Sequence, residues 1–157
     1  MTQSTNHAAI PSPIGTLYCA ADDSAVLEIL YTTDEKFSGN FNHHHPILQK
    51  LRGELESYFS GKLKQFTVPV RLSGTTHRLK VWDELKNIPY GETVSYSRIA
   101  KNIGSAPIVV GGAVGANRVN IVVPCHRVIG SNGSLTGYSG GLERKAFLLA
   151  LENGAAK

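Results

Sequence analysis

The chain has 157 residues, enough for one good core or for a small domain joined to a somewhat larger one, and 41% of them are hydrophobic, which argues for a folded globular protein. Its 16 Lys and Arg against 12 Asp and Glu, with an isoelectric point near 9.1, suit a polyanionic partner without requiring one. No run is apolar enough to span a membrane, and the amino terminus lacks the basic-then-apolar order of a secretory signal, so a soluble, cytoplasmic protein is expected.

In chain order, Gly15–Ala20 and Ala25–Tyr31 are apolar, partly alternating runs separated by four residues, a spacing that predicts an antiparallel hairpin. A polar stretch through His43, His44 and His45 follows. Three consecutive histidines cannot all face one ion in regular structure, so a solvated loop is favoured there over a metal site. Ile47, Leu48, Leu51, Leu55, Tyr58 and Phe59 recur at helical intervals up to Gly61, and predict an amphipathic helix. Phe66–Val70 reads as a short extended segment. The polar residues 72–76 read as a linker, which divides the chain into a first domain over 1–72 and a second over 73–157.

The second domain opens on a helix carrying Leu79, Val81, Trp82, Leu85 and Ile88, ended by Pro89-Tyr90-Gly91. Ser95 then caps a short helix with Tyr96, Ile99 and Ala100 that stops at Gly104, and Ser105-Ala106-Pro107 starts another. Two short helices joined by a glycine turn are the outline of a helix-turn-helix. The second of them, Pro107 to about Ala116, has no Lys, Arg or amide before Asn117, so it cannot read base edges by hydrogen bonding. Its Gly111, Gly112, Ala113, Gly115 and Ala116 admit two readings: tight packing against a neighbouring helix, or close approach to a DNA groove.

Next, Ile121-Val122-Val123-Pro124 form a strand-like approach to Cys125-His126-Arg127-Val128. A thiol beside an imidazole and a guanidinium is the arrangement of a nucleophile, because both neighbours favour the thiolate. The dipeptide alone also suits a small core cysteine beside an ordinary histidine. Cys19 and Cys125 stand far apart in unlike settings, so Cys125 reads as a free thiol. A Gly/Ser-rich stretch from Gly130 to Gly141 follows, and Leu142, Lys145, Ala146, Leu148 and Leu149 predict a last helix.

The segments Ser95–Ala100, Ile121–Val128 and Gly137–Glu152 together resemble the DNA-repair alkyltransferases that remove alkyl groups from O6 of guanine, the methylated-DNA–protein-cysteine methyltransferases. The resemblance covers Gly74 to Glu152. It implies an α/β protein: a small RNase-H-like α/β first domain, then a mostly helical second domain with a helix-turn-helix. The implied activity is irreversible, single-turnover transfer of an alkyl group from O6 of guanine, with O4 of thymine as a further candidate, to Cys125. The partner it implies is double-stranded DNA holding O6-alkylguanine, acted on by a monomer with no cofactor and no required metal.

The resemblance also assigns roles. His126 is the base that takes the Cys125 thiol proton, normally through a water, Glu152 orients His126, Tyr96 supports the purine, and Asn117 ties the recognition helix to the active-site strand. The loop with Tyr138 and Ser139 covers a flipped base, and the carbonyls of Cys125 and Val128 accept from its exocyclic amine. DNA contacts fall to Ser95, Tyr96, Arg98, Ile108, Val109, Gly111, Gly112, Ala113, Arg118 and Arg127, with Arg127 open to a second reading as a support of the site. The family's intercalating arginine is missing: Ile108 or Val109 stands there, and an apolar wedge can also unstack a base step. The prolines that follow the family asparagine are missing too, replaced by Arg118-Val119-Asn120. An alternative reading is an alkyltransferase-like protein that recognises the lesion with weak or no transfer, although such proteins lack the cysteine.

Overall fold

A computed structural model describes residues 5–32, 41–135 and 137–154. The chain divides into two compact units, Met1–Leu72 and Ser73–Ala156. Among the described residues, no helix is long and apolar enough to cross a membrane.

The first unit is a three-stranded antiparallel sheet, β1 (Asn6–Ile10), β2 (Leu17–Ala21) and β3 (Val26–Leu30), in that order, with helix α1 (Pro46–Phe59). The β2–β3 hairpin is the predicted one. Its turn is fastened by the Asp22 carboxylate, which accepts from the backbone of Ser24 and Ala25 at 2.8 and 2.9 Å and pairs with Arg71. Strand β1 carries no such alternation in sequence and exists because Leu17–Ala21 offers it a free edge, in register Ala9 to Tyr18. Helix α1 buries Leu48, Leu51, Leu55 and Tyr58, the stripe its periodicity predicts. The segment expected to be extended at 66–70 forms a single bridge, Val70 to Val26, and is held by Glu54, whose carboxylate accepts from the Thr67 and Val68 amides at 2.9 Å. The histidine tract takes separate partners: His43 stacks on Phe41, and His45 meets Asp23 at 3.2 Å.

The second unit runs α2 (Thr76–Lys86), β4 (Val94–Ser95), α3 (Tyr96–Ile103), α4 (Pro107–Gly115), a single 3-10 turn at Cys125–Arg127, β5 (Val128–Ile129) and α5 (Leu142–Glu152). Helix α2 stops at Lys86, two residues short of Ile88, which is buried outside the helix. Helix α3 has the ends its sequence dictates. The Ser95 hydroxyl accepts from Arg98 N at 3.0 Å, and Gly104 closes the helix at φ 69°, a conformation glycine adopts without a Cβ clash. Helix α4 packs Val110, Ala113 and Val114 inward, and the Ala113 carbonyl accepts from Trp82 Nε1 at 2.9 Å.

One local expectation fails. Residues 121–123 form a turn, not a strand, and Ile121 sits at φ 73°, the one non-glycine among the described residues with positive φ. A β-branched residue there costs on the order of 1–3 kcal/mol, so its surroundings must hold it. Asn117 does so. Its side-chain nitrogen donates to Val123 O at 2.9 Å and its oxygen accepts from Val119 N at 3.0 Å, closing the turn from inside.

Candidate active site

Three short elements converge in the second unit. Strands β4 and β5 pair in parallel, Val94 with Val128 and Ser95 with Ile129, which brings the start of α3 alongside the residues that follow the 3-10 turn. Tyr96 at the head of α3 and Cys125 at the head of the 3-10 turn therefore line one pocket of about 150 Å³. Gly111, Val114 and Gly115 of α4 contribute to it, as do Tyr138 and Ser139 of the loop before α5. Val128 is fully buried and outside the lining, and its carbonyl accepts from Lys145 Nζ at 2.6 Å.

Cys125 is only 3% exposed. Burial pushes its thiol up to about 11, against the opposing pull of the Asn117 amide and the Lys145 ammonium. At neutral pH Cys125 therefore rests as a thiol and not as a thiolate.

His126, next in the chain, is fully buried, and its ring is oriented by one contact: Nε2 lies 2.7 Å from Glu152 Oε2. A carboxylate accepts only, so Nε2 carries the hydrogen and Nδ1 keeps the lone pair. Nδ1 is buried and has no hydrogen-bond partner among the described residues. Burial lowers the affinity of His126 for a second proton, outweighing the carboxylate of Glu152, so the ring rests neutral and able to accept.

Burial opposes the charge of Glu152, but hydrogen bonds from His126 and Arg127 prevail and hold it at about 2. Arg127 donates Nε to Oε1 at 2.8 Å and a terminal nitrogen to Oε2 at 3.0 Å, a two-pronged pair, and its other terminal nitrogen donates to Ile88 O at 2.7 Å. The Tyr90 ring lies 5.8 Å from the guanidinium. Arg127 is thus a buried support of the carboxylate, which corrects its expected place among the DNA contacts: a guanidinium committed to three acceptors and shielded from solvent is withdrawn from phosphates. Ala113 is corrected likewise, since it is buried against Trp82.

The other expected DNA contacts are reachable. Arg98 and Arg118 are exposed, Ser95 is half-buried with its hydroxyl used as the cap of α3, and Gly111 and Gly112 lie on the outer part of α4. A Cβ added at Gly112 or Gly115 would meet nothing within 4 Å, and one at Gly111 would only touch the Tyr96 ring. Packing inside this unit therefore does not explain these glycines. Ile108 is 86% exposed and Val109 50%, an apolar tip at the start of α4.

Two residues of the cluster were not singled out from sequence. Lys145 Nζ is buried between the carbonyls of Val128 and Gly137, at 2.6 and 3.3 Å, with the Tyr96 ring 5.9 Å away. Its signal was present: Lys145 shares a helix face with Leu148 and Glu152. Asn120 places its side-chain oxygen 3.5 Å from Cys125 Sγ, and its signal is a lone amide inside the apolar run from Val119 to Val123. Within this cluster Arg127 pairs with the one carboxylate, Glu152, while Lys145 is held by two carbonyls and adds a second positive charge near the thiol.

The family model for the DNA binding domain of 6-O-methylguanine DNA methyltransferase matches residues 76–154, and that for its ribonuclease-like domain matches residues 6–72. The chain is 42% identical over 151 residues to a methylated-DNA–protein-cysteine methyltransferase of Methanosarcina acetivorans, covering 93% of this chain and 97% of that one. It is 44% identical over 156 residues to the Mycobacterium tuberculosis protein of the same name, covering 96% and 94%. Among solved structures it resembles Mycobacterium tuberculosis O6-methylguanine methyltransferase, with a TM-score of 0.86 and 40% identity, over 98% of this chain and 96% of that one. The Mycobacterium tuberculosis OGT in complex with DNA gives the same score and identity over 97% and 94%.

Proposed function

Because the chain belongs to the 6-O-methylguanine DNA methyltransferase family, we propose that it repairs O6-alkylguanine in double-stranded DNA directly, by moving the alkyl group onto Cys125. The observation that carries this reading is the set Cys125, His126 and Glu152: a buried thiol on the lining of a pocket, a neutral imidazole next in the chain with a bare Nδ1, and a carboxylate held at about 2.

His126 Nδ1 takes the thiol proton, relayed through a water, as Sγ attacks the alkyl carbon. The sulfur–carbon bond forms, the carbon–O6 bond breaks, and its electron pair leaves on the purine, which the Tyr96 hydroxyl supports by donating a hydrogen bond. Glu152 holds the imidazolium and Arg127 holds Glu152. The product is a thioether. It lacks a carbonyl for water to attack, so the protein acts once.

The target base must leave the stack to reach Cys125. Helices α3 and α4 serve as a helix-turn-helix with α4 against the duplex, its glycines allowing close approach and Ile108 with Val109 wedging into the base step that the guanine vacates. Arg98 and Arg118 meet phosphates, Tyr138 and Ser139 close over the base, and the cytoplasm is the place of action.

Incubation with a duplex carrying one O6-methylguanine, followed by intact and peptide mass measurement, tests the reading. One methyl group on Cys125 with no further turnover is expected. An unmodified Cys125 together with lesion-selective binding would overturn transfer and leave a recognition protein.

A further inference from the structure

Asn120 lies in the turn that joins α4 to the nucleophile and is 2% exposed. Its side-chain oxygen stands 3.5 Å from Cys125 Sγ and 3.5 Å from Ser139 Oγ, so one atom meets both the nucleophile and a hydroxyl on the pocket lining. The backbone on either side is fixed. Val119 is tied to the Asn117 side chain, and Ile121 is held at positive φ. The amide is therefore presented to the thiol from a rigid support rather than from a mobile loop.

An amide oxygen accepts and cannot donate. It stabilises Cys125 while the sulfur bears its hydrogen, and it turns a lone pair toward the sulfur once the hydrogen is gone. Asn117 and Lys145 act in the opposite sense, favouring the thiolate. We propose that Asn120 is a positioning residue for the transfer, holding the Cys125 thiol protonated and in one orientation while tying Ser139 to the same oxygen.

The inference rests on Cys125 being the alkyl acceptor, and its benefit follows from single turnover. A standing thiolate reacts with oxidants and free alkylators. Each such event would remove a molecule that has only one reaction to perform. With Asn120 in place, the proton leaves Cys125 only when His126 takes it during attack.

The test compares the full-length parent with Asn120→Ala and Asn120→Asp in two reactions. One is carbamidomethylation of Cys125 by iodoacetamide across pH, read by peptide mass, which samples the thiolate without any lesion. The other is single-turnover methyl transfer from a duplex with O6-methylguanine. For Asn120→Ala the iodoacetamide profile should move to lower pH, with a rate near neutrality up by about tenfold, roughly one pKa unit, while methyl transfer slows several-fold. Asn120→Asp is close in shape and puts a carboxylate against the sulfur. It should move the profile to higher pH and slow both reactions, which keeps the test decisive if the alanine variant loosens the turn. A profile for Asn120→Ala that stays in place, or moves to higher pH, overturns the proposal, as does faster methyl transfer. If the parent transfers no methyl group at all, alkyl transfer itself fails and the positioning role with it, and the iodoacetamide profiles then report on the thiol contact alone.

Discussion

His126 Nε2 stands 2.7 Å from Glu152 Oε2, and that contact decides which nitrogen of the ring keeps a free lone pair. With Nε2 committed as a donor, Nδ1 is left as the acceptor beside Cys125 in the chain. His126→Gln offers an amide that can still donate to Glu152 but has no basic nitrogen. Single-turnover methyl transfer at neutral pH should fall by about 10²-fold or more, the usual worth of a positioned base. Quenched time courses with the lesion duplex measure it. A rate equal to the parent's would remove His126 from the mechanism.

Glu152 is also the partner of a buried guanidinium, so its loss should be felt in folding as well as in rate. Glu152→Ala should destabilise the protein by about 3–5 kcal/mol in urea unfolding, because Arg127 is left buried without its countercharge. Adding Arg127→Met should return part of that loss. If the double variant is no more stable than the single one, the pair is not what holds this corner together.

The same groups set the acid limit of the fold. His126 is harder to protonate in the folded protein than at its ordinary value of 6.5, so the unfolded chain binds more protons below that pH, and stability falls as pH drops through that region. Glu152 is held at about 2 against an ordinary 4.5, so its contribution is complete above 4.5 and is lost as pH falls toward 2. That second loss amounts to about 3 kcal/mol. Urea midpoints from neutral pH downward should therefore decline first near 6.5 and again below 4.5. In Glu152→Gln the lower step should shrink.

These relationships were legible in sequence to different depths, for physical reasons. The ends of α3 were readable because Ser95 and Gly104 act on their own backbone. The hairpin of β2 and β3 was readable for the same reason, its turn chemistry being local. Strand β1 was not, since its residues become a strand only by pairing with β2. The apolar run before Cys125 misled: its β-branched residues favour a strand, but Asn117 reaches across six residues to fold them into a turn. Glu152 lies 26 residues beyond His126, and only the family resemblance joined them before the fold did. Lys145 and Asn120 became visible as parts of the site only when α5 and the turn were placed around Cys125.

Ile108 separates a role in DNA handling from a role in folding, because a side chain 86% exposed at the start of a helix has little to stabilise. Ile108→Ala should leave the unfolding free energy within about 0.5 kcal/mol of the parent. Transfer from duplex DNA should nevertheless slow, since nothing apolar would fill the step vacated by the guanine. Transfer from a single strand carrying the same lesion, where there is no stack to open, should change much less. Ile108→Arg supplies a cation at the same tip. It should keep duplex transfer and steepen the dependence of binding on salt by about one ion, read from the slope of log affinity against log salt concentration. Equal slowing of Ile108→Ala on single and double strands would deny the tip any part in opening the duplex, and would return the weight of base extrusion to Tyr96 and the phosphate contacts.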